Sequence, residues 1–362
     1  MERNLPGFNR DTLHKRHRLS YQQIGDRTGV VPRELIIEEK IHQLNMVSEL
    51  SFIASALRRA AIWFVPLKGP LLSYRIYGDA TYRRFSDLDF LVRPDDAHQA
   101  IGLLFKSGYK PLKFVWPVKP GHQKTVIREI NQFALYHPTA GLKVEIHWKL
   151  FPLPVARYKK VGTLVTENLT EIRYAGHTFL QFTPEFELLY LVIHGGLHAW
   201  SRLKWLEDVK IYANKISLSS DKMETLAHQL NAGRMIGLCN ALLRHFHPDT
   251  SLLPAGRHVP EWMVGYVLDR IALPAEVAGS SKKHFLAFLR YRWMAFPGCV
   301  YKYRAATILT FSMDHPDRYR IPLYPLFRIA GLLTGFLFRC LTGRRRNDPV
   351  SGKNTGLSDL ME

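Results

Sequence analysis

The sequence predicts an α+β protein: a small mixed β-sheet core followed by a large, mainly helical C-terminal lobe. Two observations carry this. Residues 61–150 alternate short apolar runs with amphipathic stretches, in the order strand, helix, strand, helix, strand, strand. From Thr183 to about residue 340, helical periodicity dominates. The chain has 362 residues with a hydrophobic share of 46%, enough to bury a core of this size.

Residues 1–32 form a basic N-terminal arm, ordered or semi-ordered, with Lys15, Arg16, His17 and Arg18 clustered as a solvated leader in preference to a nucleic-acid tail. Residues 33–160 form the core with its leading helix. That helix spans 33–60, with Leu35, Ile36, Ile41, Leu44, Val47, Leu50, Ile53 and Leu57 at three- and four-residue steps. Glu38, Glu39 and Lys40 suit its wet face. Ile62–Leu67 reads as the first strand. Lys68-Gly69-Pro70 turns the chain, and Pro70 suits the first position of a helix over Leu71–Tyr77, ended by Gly78. Leu88–Val92 is the next strand, and Ala97–Lys106 a helix. Residues 109–125 read as a loop. Thr125–Tyr136 and Lys143–Leu150 read as a hairpin turned at Gly141.

The helical lobe takes residues 161–342. Thr183-Pro184-Glu185 is a helix start with a capping Thr, a first-turn Pro and acids at the positive end. Loops are expected near 215–222, 249–258, 273–283 and 314–322. Leu323–Leu341 mixes apolar residues with Arg328 and Arg339, as a core helix or a helix lying on an anionic membrane surface. Residues 343–362 are polar and predict a flexible tail.

Lys and Arg total 50 against 31 acids, a net charge of +19, which attracts anions: nucleotides, nucleic acid or acidic lipid. Nucleic acid is the less favoured of these. Three scattered cysteines argue against a disulfide framework or a zinc site and fit a cytoplasmic protein. No run reaches the ~18 apolar residues that span a bilayer.

The chemistry concentrates around Asp87-Leu88-Asp89. Residues two apart on a strand share a face, so two carboxylates emerge side by side and repel unless a cation sits between them. Mg²⁺ or Mn²⁺ suits such oxygen ligands. Val144-Glu145-Ile146-His147-Trp148 reads as another strand, and if it lies beside the first, Glu145 joins the pair. Three such carboxylates can hold two metals for a phosphoryl displacement. About twenty residues before Asp89, Lys68-Gly69 precedes a helix N-terminus, where phosphate can approach free amides. Arg83 and Arg84 supply forks that match phosphate oxygens. His194, His198, Arg202, Trp205 and Asp208 share one stripe if their helix is continuous. A Gly at 195 stands where a metalloprotease needs Glu.

Together these blocks resemble the DNA polymerase beta-type nucleotidyltransferase superfamily. Within it the chain is similar to the bacterial family labelled uncharacterised nucleotidyltransferase. The resemblance rests on Leu67-Lys68-Gly69, Arg83 before Asp87-x-Asp89, Glu145-x-His147-Trp148, and the block from His194 to Asp208, over roughly residues 35–330. The superfamily's usual Gly-Gly or Gly-Ser turn is Lys-Gly here, and the third acid is Glu rather than Asp. The resemblance implies a metal-dependent enzyme that moves a nucleoside monophosphate from a nucleoside triphosphate to an unidentified acceptor. Asp87, Asp89 and Glu145 would be the catalytic acids and metal ligands. Lys68, Gly69, Arg83 and Ser86 would bind the nucleotide. His147, His194, His198, Arg202 and Asp208 would serve the acceptor or the interdomain contact. Two other readings stay open: a catalytically weak nucleotide-binding or assembly protein on the same fold, and a toxin–antitoxin-type modifier of RNA or protein.

Overall fold

A computed structural model describes residues 8–273, 282–299 and 301–302. The expected helix over 323–341, its arginines and the tail at 343–362 lie outside the described residues. Among the described residues, no helix is long and apolar enough to cross a membrane.

From Phe8 on, the arm is ordered as part of the fold, and its basic cluster is packed rather than fully solvated. After one helical turn at Thr12–Arg16, helix α1 runs Tyr21–Thr28, capped by Ser20. Leu13, Leu19 and Ile24 are buried, as is His17. Two of the four clustered basic residues turn inward. Arg16 donates to the carbonyls of Ser201, at 2.7 Å, and Arg270, at 2.9 Å. His17 accepts, at its carbonyl, from the Lys204 amide.

Helix α2, Arg33–Arg59, follows. Its inner face differs from the predicted one in its first half. Ile41 and Leu44 are each 55% exposed, while Gln43, Met46, Leu50, Ile53, Ala54 and Leu57 are buried. The inner face there is polar because it holds the arm. Glu39, expected on the wet face, accepts from the Tyr21 amide at 2.6 Å and meets His14 at 3.0 Å. Gln43 donates to the Phe85 carbonyl at 3.2 Å.

The core sheet contains β1 (Phe64–Leu67), β2 (Asp87–Val92), β3 (Lys110–Pro111), β4 (Gln132–His137) and β5 (Leu142–His147), ordered β1-β2-β5-β4-β3. Only β2 and β5 run parallel. Helix α3 (Gly69–Tyr77) joins β1 to the segment before β2, and α4 (Ala97–Lys106) follows β2. One sheet face, with Leu88, Phe90, Val92, Val144 and Ile146, packs on α2 and α4. The other carries Asp89, Leu91, Glu145 and His147, and there Leu91 joins the core of the helical lobe.

Two local expectations fail for identifiable reasons. Residues 125–129 are helical, not strand: α5 spans Pro120–Glu129, begun by Pro120 in its first turn. The β-branched run Thr125-Val126-Ile127 reads as strand only until Val126 is placed on a helix face packed into the core. The hairpin turn at Gly141 is as expected, with φ of +67° and its amide donating to His137 O at 2.8 Å. The second difference lies after α6 (Tyr158–Glu167). A separate two-stranded hairpin, β6 (Leu169–Tyr174) and β7 (His177–Phe182), stands there. Its two turn residues, Ala175 and Gly176, both have positive φ, the backbone of a tight hairpin turn.

Among the described residues the lobe continues with α7 (Pro184–Leu197), α8 (Leu203–Lys215), α9 (Ser220–Gln229), α10 (Gly233–Phe246), α11 (Glu261–Ala272) and α12 (Lys282–Ala295). Helix α7 is buried on nearly every side. Thr183 does not cap it with its side chain; that hydroxyl meets Asn168 at 3.3 Å instead. Gly196 lets α10 come close, because a Cβ there would stand 2.4 Å from Met235 Sδ.

Arm, lobe and α10 meet at Glu207, which is buried and paired with Arg27 of α1 and, at 2.8 Å, with His247. Burial opposes its charge, but His247 and Arg27 outweigh it and hold the carboxyl down to about 2 from its ordinary 4.5. A depressed carboxylate stabilises the fold fully above its unfolded value, and that contribution is lost as pH falls through the folded value. The expected loss is on the order of 3 kcal/mol between those limits. Urea unfolding at a series of acidic pH values should show a steeper fall for the native chain than for Glu207→Gln. Equal slopes would refute the assignment.

Candidate active site

β1 delivers the first site residue. Beyond Leu67 the chain turns through Lys68 and Gly69, both at φ of +53°. For glycine this is cheap; for lysine it is a strained backbone, which persists only where the surroundings hold it. What holds Lys68 is visible: its Nζ lies 3.1 Å from Asp89 Oδ2 and 3.4 Å from His194 Nε2. The Tyr190 ring is 5.8 Å away. Burial opposes the ammonium's charge, yet Tyr190, Asp89 and Asp87 outweigh it and raise Lys68 above the ordinary lysine range. Gly69 opens α3, with only Leu88 Cδ2, at 3.9 Å, near the place a Cβ would take.

β2 and β5 deliver the acids. Their parallel register sets Asp89 opposite Glu145 and Asp87 opposite Lys143. Asp89, Glu145 and His147 place ligand atoms all within 4.8 Å of one another. His147 Nε2 stands 3.3 Å from Glu145 Oε2 and 3.5 Å from Asp89 Oδ1. Asp89 Oδ1 and His147 Nε2 are both buried without a hydrogen bond. Two carboxylates and an imidazole with orphaned atoms converging on one point are a donor set that fits a divalent cation. Ser86 is exposed.

The electrostatics divide the acids. Burial and the carboxylates of Asp89 and Glu145 push Asp87 up to about 6, against Lys68 and Lys204. Burial also acts on Asp89, but Lys68 and His147 overcome it and hold that carboxyl below the usual range. Burial disfavours the His147 imidazolium; Asp89 and Glu145 reverse this and raise it to about 9.

The stripe from His194 to Asp208 is not one helix. α7 ends at Leu197, and Ala199 and Trp200 take φ of +50° and +48° before α8 begins. Trp200 folds back so that its ring lies 2.6 Å from where a Cβ on Gly195 would be. A side chain at 195 would block that return. His194 nonetheless reaches the site. His194 meets Lys68, and its ring centroid is 4.7 Å from that of His198. Both histidine rings contact Trp205, and the Arg202 guanidinium lies 5.4 Å from that ring's centroid. Burial and the cations Lys68 and Lys204, with His198, push His194 well below the ordinary histidine range.

Arg83 and Asp208 find each other. Arg83 Nε donates to both Asp208 oxygens at 2.8 Å and Nη2 lies 2.8 Å from Oδ2, with both side chains buried. Arg84 is pinned as well: it donates to the His14 carbonyl at 2.8 Å. Sequence reasoning missed Gln132, whose amide donates to Glu145 Oε2 from β4, and Tyr190. Gln132 is recognisable only once β4 is paired with β5, since no local pattern marks it.

A mixed sheet with acids on adjacent parallel strands, backed by helices, is a nucleotidyltransferase-type architecture. The chain belongs to the family described as uncharacterised nucleotidyltransferase, which matches residues 34–248. A solved structure is similar to it: an antigenic nucleotidyltransferase-like protein from Paracoccidioides brasiliensis. The two are 19% identical, with 57% of this chain and 89% of that one covered, at a TM-score of 0.36. No curated protein matches the chain.

Proposed function

We propose that this protein transfers a nucleoside monophosphate from a nucleoside triphosphate to an acceptor, with Mg²⁺ or Mn²⁺. The observation that carries the reading is the β2–β5 register, with Asp89 opposite Glu145, His147 beside both and Asp87 two residues before on the same face. Asp89, Glu145 and His147, with Asp87, would hold the metal. The metal would supply charge neutralisation at the phosphates and orient the reacting oxygens.

The chain's own residues do the rest. The acceptor oxygen attacks the α-phosphorus, the bond to the bridging oxygen breaks, and pyrophosphate leaves. Glu145, fixed by Gln132, is the base that takes the acceptor's proton, directly or through water. Lys68 and the free amides at the start of α3 bind the phosphates. Ser86, exposed just before β2, would be a further nucleotide contact. Arg83, buried on Asp208, serves as a strut behind β2 rather than a direct phosphate ligand. His194, His198 and Arg202 form the wall toward the acceptor.

The test uses the full chain and triphosphates labelled at either the α- or the γ-phosphate. Water stands in slowly for the acceptor, so the expected products are the nucleoside monophosphate and pyrophosphate, formed only with Mg²⁺ or Mn²⁺. Release of the diphosphate and inorganic phosphate would refute the reading.

A further inference from the structure

Among the described residues, two of the cations near the acids are ion-paired. Lys68 is on Asp89, and Arg83 is on Asp208. Lys204, in the first turn of α8, is 8% exposed. Its ammonium makes one hydrogen bond, a long one of 3.4 Å to the Arg84 carbonyl. Among the described residues it has no ion-pair partner. A buried ammonium without a carboxylate is among the costliest groups a fold can hold. Burial pushes it well below the ordinary lysine range, with Arg83 and Arg202 acting in the same direction and Asp87 and Asp208 against it. Arg83 and Arg202 thus both act on Lys204, which itself acts on Asp87, and His194, held well below the ordinary histidine range, feels Lys68, Lys204 and Arg83. Such an arrangement is stable when an anion completes it.

We infer that Lys204 is a phosphate-binding residue, whose ammonium receives an oxyanion beside Asp87 from the helical-lobe side. The oxyanion belongs either to the terminal phosphates of the nucleoside triphosphate or to a phosphate carried by the acceptor. The choice between those owners rests on the nucleotidyl-transfer reading; the anion site itself does not. Lysine suits the role, because a point charge on a flexible stem follows a phosphate through a reaction.

The experiment compares the full chain with Lys204→Met, which keeps the stem's packing and removes the charge. Calorimetry measures ATP, AMP and inorganic phosphate, the last with and without saturating ATP. The variant should fold with a melting temperature equal to or above that of the native chain, because an unpaired buried charge is gone. If the ammonium holds the triphosphate tail, ATP affinity falls on the order of ten- to a hundredfold while AMP affinity is unchanged. If it holds the acceptor's phosphate, ATP affinity is unchanged and phosphate binding to the ATP-loaded protein is lost. Should the methionine variant not fold, Lys204→Gln carries the same readouts. A variant that binds ATP and phosphate as the native chain does overturns the inference and leaves the transferase reading standing. A native chain that binds phosphate through Lys204 but no nucleotide overturns the transferase reading and leaves the anion site standing. A native chain that binds neither overturns both.

Discussion

Asp89→Asn should reduce transfer on the order of a thousandfold or more, because it removes one member of a group that works as a unit. Asp89 is the acid where the site's contacts converge. Lys68 sits on one of its oxygens and His147 faces the other. Asparagine keeps the shape and hydrogen-bonding size but offers one neutral oxygen in place of two charged ones. Metal-dependent nucleotide binding should vanish with it, and chelation of the native protein should produce the same state. The substitution also leaves the Lys68 ammonium facing an amide. A stability loss of about 1–3 kcal/mol is therefore expected, well short of unfolding. The discriminating measurement is calorimetry with Mn²⁺ and a nonhydrolysable triphosphate on both proteins, with circular dichroism to confirm the fold. An Asn variant that binds nucleotide with native metal dependence would remove Asp89 from the site.

Much of this arrangement is legible in the sequence because it is local. Asp87 and Asp89 share a face by strand periodicity alone, and Lys68-Gly69-Pro70 announces a turn into a helix. The long helix over 33–59 follows from its spacing. What escapes is decided by tertiary contact. Nothing in the local pattern of α2 says that Glu39 must face inward, since that depends on the arm returning to meet it. The break between α7 and α8 is likewise invisible to a periodicity count, because the spacing of His194, His198 and Arg202 fits an unbroken helix. The Trp200 ring closing onto Gly195 decides otherwise. Arg83 is the clearest case. Its position before Asp87-x-Asp89 is compatible with a phosphate ligand, and only the placement of α8, 125 residues later in the chain, reveals Asp208 as its partner.

That pair carries the second large effect. Asp208→Ala should destabilise the protein by about 3–5 kcal/mol, since it leaves a guanidinium buried and uncompensated. Arg83 and Asp208 are 3% and 1% exposed at their side chains, so water cannot take the carboxylate's place without opening the contact. The double variant Arg83→Met, Asp208→Leu removes both charges and fills their volume. Stability should then return to near the native level, because well-packed apolar groups often replace a buried ion pair without loss. Transfer should not return with it. Arg83 lies four residues before Asp87; its backbone amide donates to Ser73 of α3 at 3.0 Å, and its side chain, through the pair, ties the approach to β2 to α8. Apolar contacts hold two elements together but do not set their register as a forked, two-oxygen bond does. A stable, correctly folded double variant with reduced transfer would identify the pair as the strut that positions Asp87 and Asp89 beneath the lobe. Native transfer in the double variant would reduce the pair to a stabilising contact, and continued instability would show that its charges serve a wider network.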